Sequence, residues 1–222
     1  MNDQEFAKRV AAITRDLKSS EISEFIDKTE LVAPIPFRGT AREIKLIILG
    51  QDPTVRKMKH RENIKVTLLL DQKKGRLPNY LRGVCKKLDL ELDQNVYATN
   101  ILKNFFTDRP DQLEKDHPGL IRKAFSFWKN LLLKELSEFE NIPVITLGEP
   151  VLNCFLKDPV LIRYYWGFEG PAMYSKNFKH ILPEENELHR NIFPFPHIHG
   201  LGHKLYREGL NDYTEYMRGY LK

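Results

Sequence analysis

A short apolar run that ends in a glycine and an aspartate–proline pair constrains this chain more than any other feature. Residues 44–54 read I-K-L-I-I-L-G-Q-D-P-T, and the first six are apolar apart from Lys45. Such a run is typical of a strand buried on both faces of a sheet. Gly50 ends the strand, and Pro53 fixes the turn behind Asp52. Open α/β sheets bind ligands at this end of a central strand, although most Asp-Pro pairs are turns whose carboxylate only accepts backbone N–H bonds.

Three further apolar runs predict strands of the same sheet, with helices between them. These runs are residues 95–102, 142–147 and 191–196. Strands that alternate with helices are joined by right-handed crossovers and pair in parallel. We therefore predict a single domain over residues 1–222, built as a three-layer α/β/α sandwich around a central, mostly parallel four-stranded sheet. The last run contains two prolines, which predicts an edge strand.

Apolar spacing assigns most of the remaining segments. Apolar residues at intervals of three and four predict helices over residues 3–17, 77–88, 119–139 and 205–221. Residues 64–70 are interpreted as one more strand, and residues 108–119, which read D-R-P-D-Q-L-E-K-D-H-P-G, as a loop. The aromatic stretch 157–187 shows no regular pattern.

Composition limits the classes of function. The 222 residues carry a net charge of +5, which is compatible with a polyanionic partner. Two cysteines, Cys85 and Cys154, are too few for an iron–sulfur cluster or an all-cysteine zinc site, so we expect buried thiols. No apolar run approaches the roughly 20 residues of a membrane span. The first ten residues lack the apolar core of a signal peptide, so we expect an intracellular protein that does not enter a membrane. Nothing in the sequence suggests a coiled coil or a long exposed apolar face, so we also expect a monomer.

Polar side chains follow three of the four predicted strands. Asp52 follows the first strand, Asn100 lies near the end of the second, and His197 follows the last. Because parallel strands end at one edge of a sheet, we expect the three groups to converge there. Two basic clusters lie beside this edge in the sequence and favour phosphate contacts. They are Arg56, Lys57, Lys59, His60 and Arg61, and then Lys73, Lys74 and Arg76.

These motifs, in this order, resemble the uracil-DNA glycosylase superfamily. Gly50-Gln51-Asp52-Pro53-Thr54 matches four of the five residues of the family's Gly-Gln-Asp-Pro-Tyr motif. His197 and Leu201 occupy the first and fifth places of its His-Pro-Ser-Pro-Leu motif. The helix that begins near Tyr80-Leu81-Arg82 resembles a further family segment, and the strand around Asn100 resembles the one that carries the base-reading asparagine.

The resemblance implies a role for each matching residue. Asp52 would orient the attacking water and stabilise positive charge on the sugar, and His197 would hydrogen-bond the leaving base. Asn100, the Gln51 backbone and Thr54 would contact a base flipped out of DNA. The DNA itself would be bound by Arg56, Lys57, Tyr80, His199 and Leu201, with Leu201 as a wedge in the base stack.

Departures from the family pattern keep other functions open. Thr54 replaces the tyrosine that excludes the thymine methyl group, no phenylalanine is found where the family stacks one on uracil, and His199 replaces a phosphate-binding serine. We therefore weigh three hypotheses. The chain is a DNA glycosylase for uracil or another damaged base, a catalytically inactive nucleic-acid-binding relative, or a metal-dependent hydrolase that uses His197, His199 and His203.

Overall fold

Seven strands and eight α-helices make up the regular structure of the residues that the computed structural model describes, which are 2–55, 57–168, 174–198, 200 and 204–221. The strands are β1 (Phe37–Arg38), β2 (Leu46–Gly50), β3 (Val96–Asn100), β4 (Val144–Leu147), β5 (Trp166–Phe168), β6 (Tyr174–Phe178) and β7 (Ile192–Phe195). The α-helices are α1 (Asp3–Lys18), α2 (Arg76–Lys87), α3 (Leu92–Asn95), α4 (Pro110–Asp116), α5 (Leu120–Leu136), α6 (Glu149–Asn153), α7 (Ile162–Tyr165) and α8 (Lys204–Arg218).

Five of the strands form one sheet in the order β1-β3-β2-β4-β7. The strands β3, β2, β4 and β7 pair in parallel, as predicted, and β7 lies at an edge. The predicted count of four strands was one short, because β1 adds a two-residue antiparallel strand beside β3. The residues of β2, β3, β4 and β7 are all buried, which agrees with the unbroken apolar runs in the sequence.

Helices cover both faces of this sheet and give the α/β/α layering. Helix α5 packs with α1 and α4 on one face, and α2 packs with α8 on the other. Helix α1 begins as predicted, since the Asn2 side chain accepts the Glu5 N–H at 2.9 Å as an N-cap. In the described part of the chain, no helix is long and apolar enough to cross a bilayer.

The prediction of a strand over residues 64–70 is wrong. The segment contains a 3₁₀ turn, Thr67–Leu69, and touches a strand-like partner only through an isolated bridge between Ile35 and Val66. Leu68 and Leu69 have φ angles of 56° and 57°, which a strand does not contain. The apolar residues of this segment pack against β3 and do not pair with it as a strand. A short apolar run in a sequence is compatible with either arrangement.

The predicted loop 108–119 contains the helix α4. Pro110 occupies the first helical position, where its missing N–H costs nothing. Leu113 is the one buried residue of this helix, so the segment has no apolar stripe that would reveal it in the sequence.

The aromatic stretch that showed no pattern contains a hairpin of β5 and β6. Trp166 in β5 is fully buried, stacks on Tyr213 of α8 with ring centroids 4.6 Å apart, and donates its indole N–H to the Pro194 carbonyl at 2.7 Å. The hairpin thereby fixes β7 just before His197.

Candidate active site at the carboxyl edge of the sheet

The strand register brings three predicted site residues to one edge of the sheet. Gly50 at the end of β2 pairs with Asn100 at the end of β3, and Asp52 follows two residues later. Strand β4 lies between β2 and β7, so the backbones that carry Asp52 and His197 are separated by about 10 Å, or two strand spacings. A Cβ on Gly148, at the end of β4, would lie 3.6 Å from the His197 Cβ.

Asp52 is a half-buried carboxylate whose ionised form is weakly compensated. Its Oδ2 accepts the Thr54 backbone N–H at 2.8 Å. Burial raises the Asp52 pKa from 3.8 to about 6, against the opposing effects of the Thr54 hydrogen bonds and the positive charge of Arg61. The carboxylate therefore occupies the turn expected of an Asp-Pro pair and is also poised to take up a proton near neutral pH.

Two hydrogen bonds join the loop after β2 to the loop after β3. The Thr54 hydroxyl accepts the Phe106 N–H at 2.9 Å, and the Gln51 carbonyl accepts the Leu102 N–H, also at 2.9 Å. These bonds hold Asp52 at a fixed position relative to β3. The contacts of Gln51 and Thr54 with a base stay predictions.

The Asn100 side chain is buried above Gly50. Asn100 is 2% exposed, and its Oδ1 has no hydrogen-bond partner among the described residues. A Cβ on Gly50 would lie 2.4 Å from that Oδ1 and 2.5 Å from Cδ2 of Leu68, so only glycine allows both groups to approach. A buried acceptor without a partner costs free energy and calls for an explanation, such as a ligand that donates to it.

His197 is exposed and follows the buried Pro196 directly. The Tyr80 hydroxyl donates to the Pro196 carbonyl at 3.2 Å, which attaches α2 to the segment that carries His197. Tyr80 itself is 8% exposed. Its predicted contact with DNA does not fit this buried position, and we reassign Tyr80 as a support of the His197 segment.

The first basic cluster divides into surface and core residues. Lys57 is exposed, as a phosphate-binding residue needs to be. Arg61 does not belong to a surface cluster, because it is buried, pairs with Asp27 at 2.5 Å and donates to the Phe106 carbonyl at 2.7 Å. The predicted DNA-binding residues Arg56, His199 and Leu201 lie outside the described residues, as does His203.

A buried ion pair beneath the site was missed in the sequence. Lys103, on the loop after β3, and Glu135, in α5, have side chains that are 2% and 1% exposed, and Lys103 Nζ lies 2.9 Å from Glu135 Oε1. A signal was present, since Glu135 lies on the apolar stripe of α5 and Lys103 interrupts the apolar run I-L-K-N-F-F. Charged residues at such positions are rarely buried unless they are paired.

Two cavities among the described residues lie elsewhere, and Asp52, Asn100 and His197 line neither of them. The first, of about 570 Å³, lies between α1 and the segment 26–35. Within residues 2–198 and 204–221, leaving out those that are not described, no group of three potential metal ligands is present. Because His199 and His203 are outside that set, the metal hypothesis stays a prediction.

Comparisons with known proteins add no assignment. No protein-family model matches the chain, and a search of curated proteins gives no match. The features of this chain that bear on function are the motifs in its sequence and the geometry at the carboxyl edge of its sheet.

Proposed function

We propose that this protein is a monofunctional DNA glycosylase that hydrolyses the N-glycosidic bond of uracil, or of another damaged or mismatched base, flipped out of DNA. The observation that supports this most is the pairing of Gly50 with Asn100, which sets a carboxylate and a buried amide at the ends of neighbouring strands. An imidazole, His197, follows a strand that ends at the same edge. A carboxylate, an amide and an imidazole are the groups that this reaction requires.

The proposed chemistry replaces the C1′–N bond of the nucleotide with a C1′–O bond to the oxygen of water, and one proton moves from that water to Asp52. The C1′–N bond of the nucleotide breaks, and its electron pair leaves with the base. Asp52, ionised at neutral pH, stabilises the positive charge on the sugar and takes the proton of the water that adds to C1′. His197 donates a hydrogen bond to the base oxygen on which negative charge develops. No cofactor takes part in these steps.

Asn100 would select the base. A side-chain amide offers one acceptor and two donors, which match the N–H and carbonyl of the uracil Watson–Crick edge. The Oδ1 of Asn100, which has no partner in the described part of the chain, would accept the N–H of the base. Thr54 has no ring to exclude the thymine methyl group, so uracil need not be the preferred base.

DNA is the proposed partner, bound through its phosphates. Lys57 is exposed next to the Asp52 loop, and Lys59 and His60 are exposed close by. Contacts of such residues with phosphates supply affinity without sequence preference. Arg56, His199 and Leu201 complete the proposed DNA-binding set, with Leu201 filling the gap left by the flipped base.

Release of free base from oligonucleotides tests the proposal. We expect the wild type to release base from single-stranded DNA or from a U·G duplex and to leave alkali-labile sites. Asp52→Asn or His197→Ala should lower kcat by about 10²- to 10⁴-fold without unfolding the protein. The wild-type kcat should rise as pH increases through about 6, since Asp52 acts as the ionised form. The variant Glu187→Gln, a change at an exposed carboxylate, is the control and should keep full activity.

A catalytically inactive DNA-binding protein is the second candidate. The observation that favours it is the position of Leu68, whose side chain covers Gly50 beside the Asn100 amide. A panel of uracil, thymine-mismatch, hypoxanthine and oxidised-base oligonucleotides separates the two candidates. Binding to DNA with no release from any member of the panel would replace the enzyme with the binding protein.

A further inference from the structure

The ammonium group of Lys103 donates hydrogen bonds to the last residues of strand β3. Lys103 follows Asn100 by three residues, and its Nζ lies 2.5 Å from the Asn100 carbonyl oxygen and 2.5 Å from Thr99 Oγ1. Its third hydrogen bond goes to Glu135 Oε2 at 3.2 Å, and Glu135 Oε1 lies 2.9 Å from Nζ as the ion-pair contact. The three donors of the ammonium are thus directed at three oxygens inside the protein.

The Asn100 carbonyl lies beyond the reach of the neighbouring edge strand. Strand β1 pairs with β3 only through Phe37 with Ala98 and Arg38 with Tyr97. The ladder on that side therefore ends before Asn100. Lys103 Nζ replaces the missing strand as the hydrogen-bond donor to this carbonyl.

The same charged pair attaches the last residues of β3 to helix α5. Glu135 Oε2 accepts the Tyr97 hydroxyl at 2.9 Å and the Thr99 hydroxyl at 2.8 Å. Burial lowers the pKa of Lys103, while the charge of Glu135 opposes that change. An ion pair this deep is rarely more stable than well-packed apolar residues of similar size, so its use here is better explained by the geometry that it fixes.

Asn100 needs such support because no bond within the described residues fixes its own Oδ1. The side chain is buried above Gly50, and its direction depends on the backbone from which it projects. The Lys103–Glu135 pair holds that backbone by its hydrogen bonds to the Asn100 carbonyl and to the side chains of Tyr97 and Thr99.

We infer that Lys103, together with Glu135, is a positioning residue that holds the Asn100 amide in the orientation needed to read the base. The inference rests on the proposed function for the identity of what Asn100 reads. The orientation of the amide itself can be measured without activity, so the two proposals can fail separately.

Two double variants test the inference. Lys103→Met/Glu135→Leu removes both charges and the Lys103 donor to the Asn100 carbonyl, and keeps the apolar volume. Lys103→Gln/Glu135→Gln also removes both charges but keeps an amide donor. The midpoint of urea unfolding identifies the folded variants.

The first measurement is the NMR spectrum of protein labelled in its asparagine side-chain amides. We expect the Asn100 signals to shift or broaden in the Met/Leu variant and to stay near their wild-type positions in the Gln/Gln variant. Asn186, whose buried amide donates to the Leu182 and Arg190 carbonyls, is the internal control and should not change. Unchanged Asn100 signals in the Met/Leu variant would overturn the inference.

The second measurement is base release from the oligonucleotide that the wild type prefers. A small displacement of a substrate-positioning group can lower the rate by about 10²-fold, so we expect kcat/KM of the Met/Leu variant to fall by about that factor. The kcat/KM of the Gln/Gln variant should be about tenfold higher than that of the Met/Leu variant. A purely structural ion pair would leave kcat/KM unchanged in a folded Met/Leu variant, and that result also overturns the inference. If the wild type releases no base, the proposed function fails and the NMR measurement decides the positioning role alone.

A third variant keeps the test decisive if the Met/Leu variant does not fold. Thr99→Val removes one acceptor of the Lys103 ammonium and leaves both charges in place. Broadened Asn100 signals in Thr99→Val would support the positioning role, and signals identical to those of the wild type would overturn it.

Discussion

Two carboxylates lie at the same end of the sheet and have opposite surroundings. Glu135 is almost completely buried, yet Lys103 and two hydroxyl groups compensate its charge. Asp52 is only half-buried, and its local compensation is the hydrogen bonds from Thr54.

Among the described residues, the more deeply buried acid has more groups that compensate its charge. Burial raises the Asp52 pKa to about 6, against the opposing effects of the Thr54 hydrogen bonds and the Arg61 charge. Glu135 has a cation and two hydroxyl donors within bonding distance. Under the proposed function, the more deeply buried acid has a structural role and the less buried one a chemical role. Variants at Glu135 and Asp52 test this difference, and variants at Gly50 and Lys57 test the surroundings of Asp52.

The largest expected effect on stability is at Glu135. Glu135→Leu alone leaves the Lys103 ammonium buried without its counter-charge, which should lower the free energy of unfolding by about 3 to 5 kcal/mol. Urea titration measures the change. The exposed pair of Lys129 and Glu187, 2.9 Å apart, is the control, and Glu187→Leu should cost less than about 1 kcal/mol. Equal losses at the two sites would remove the distinction between compensated and uncompensated acids.

Gly50→Ala tests how tightly the Asp52 side of the site is packed. The new Cβ would lie 2.4 Å from Asn100 Oδ1 and 2.5 Å from the Leu68 side chain, so we expect a loss of about 1 to 3 kcal/mol and a displaced Asn100 amide. Gly83, in the exposed part of α2 with no atom near its Cβ position, is the matched control. Gly83→Ala should stabilise the protein by about 0.5 to 1 kcal/mol, and a similar gain from Gly50→Ala would contradict the packing described here.

Asp52→Asn should stabilise the protein at neutral pH. The folded protein binds the Asp52 proton more tightly than the unfolded chain does, because the pKa is raised from 3.8 to about 6. The contribution of Asp52 to the free energy of unfolding is therefore fully present below pH 3.8 and is lost as pH rises through about 6. We expect Asp52→Asn to gain about 1 to 2 kcal/mol at neutral pH, a value reduced for partial exposure, and to gain little in acid.

The measurement is the difference in urea unfolding between wild type and Asp52→Asn across this pH range. Other titrating groups are common to both proteins and cancel in the difference. A variant that is less stable than the wild type at neutral pH would show that the Asp52 charge is well compensated, as that of Glu135 is.

The smallest effect is expected at Lys57. An exposed lysine that contacts one phosphate should change the slope of log K against log salt by about 0.9, so Lys57→Gln should flatten the salt dependence of DNA binding without changing base preference. Fluorescence anisotropy at several salt concentrations measures the slope. A change in base preference with an unchanged slope would place Lys57 in the base pocket.

The sequence predicted the central strands correctly, and for a physical reason. Buried parallel strands require unbroken apolar runs, and the runs that became β2, β3, β4 and β7 are of this kind. The same rule misassigned residues 64–70, because an apolar segment that packs over the end of a sheet has the same sequence pattern as a strand of that sheet.

The surroundings of the site residues could be identified only from the tertiary structure. Tyr80 and Arg61 were expected at the surface, where a tyrosine at a helix start or an arginine in a basic cluster is usually found, and both are buried. Their partners are the Pro196 carbonyl and Asp27, which are distant in sequence, so no local pattern could indicate the burial.

The chain by itself determined that a carboxylate, an amide and an imidazole would follow buried strands, since that depends on local patterns of residue type. Tertiary structure alone decided which charges are compensated, because the Lys103–Glu135 pair and the burial that raises the Asp52 pKa depend on which elements pack together. Desolvation and pairing act over a few ångströms in space, and spacing along the sequence does not report that distance.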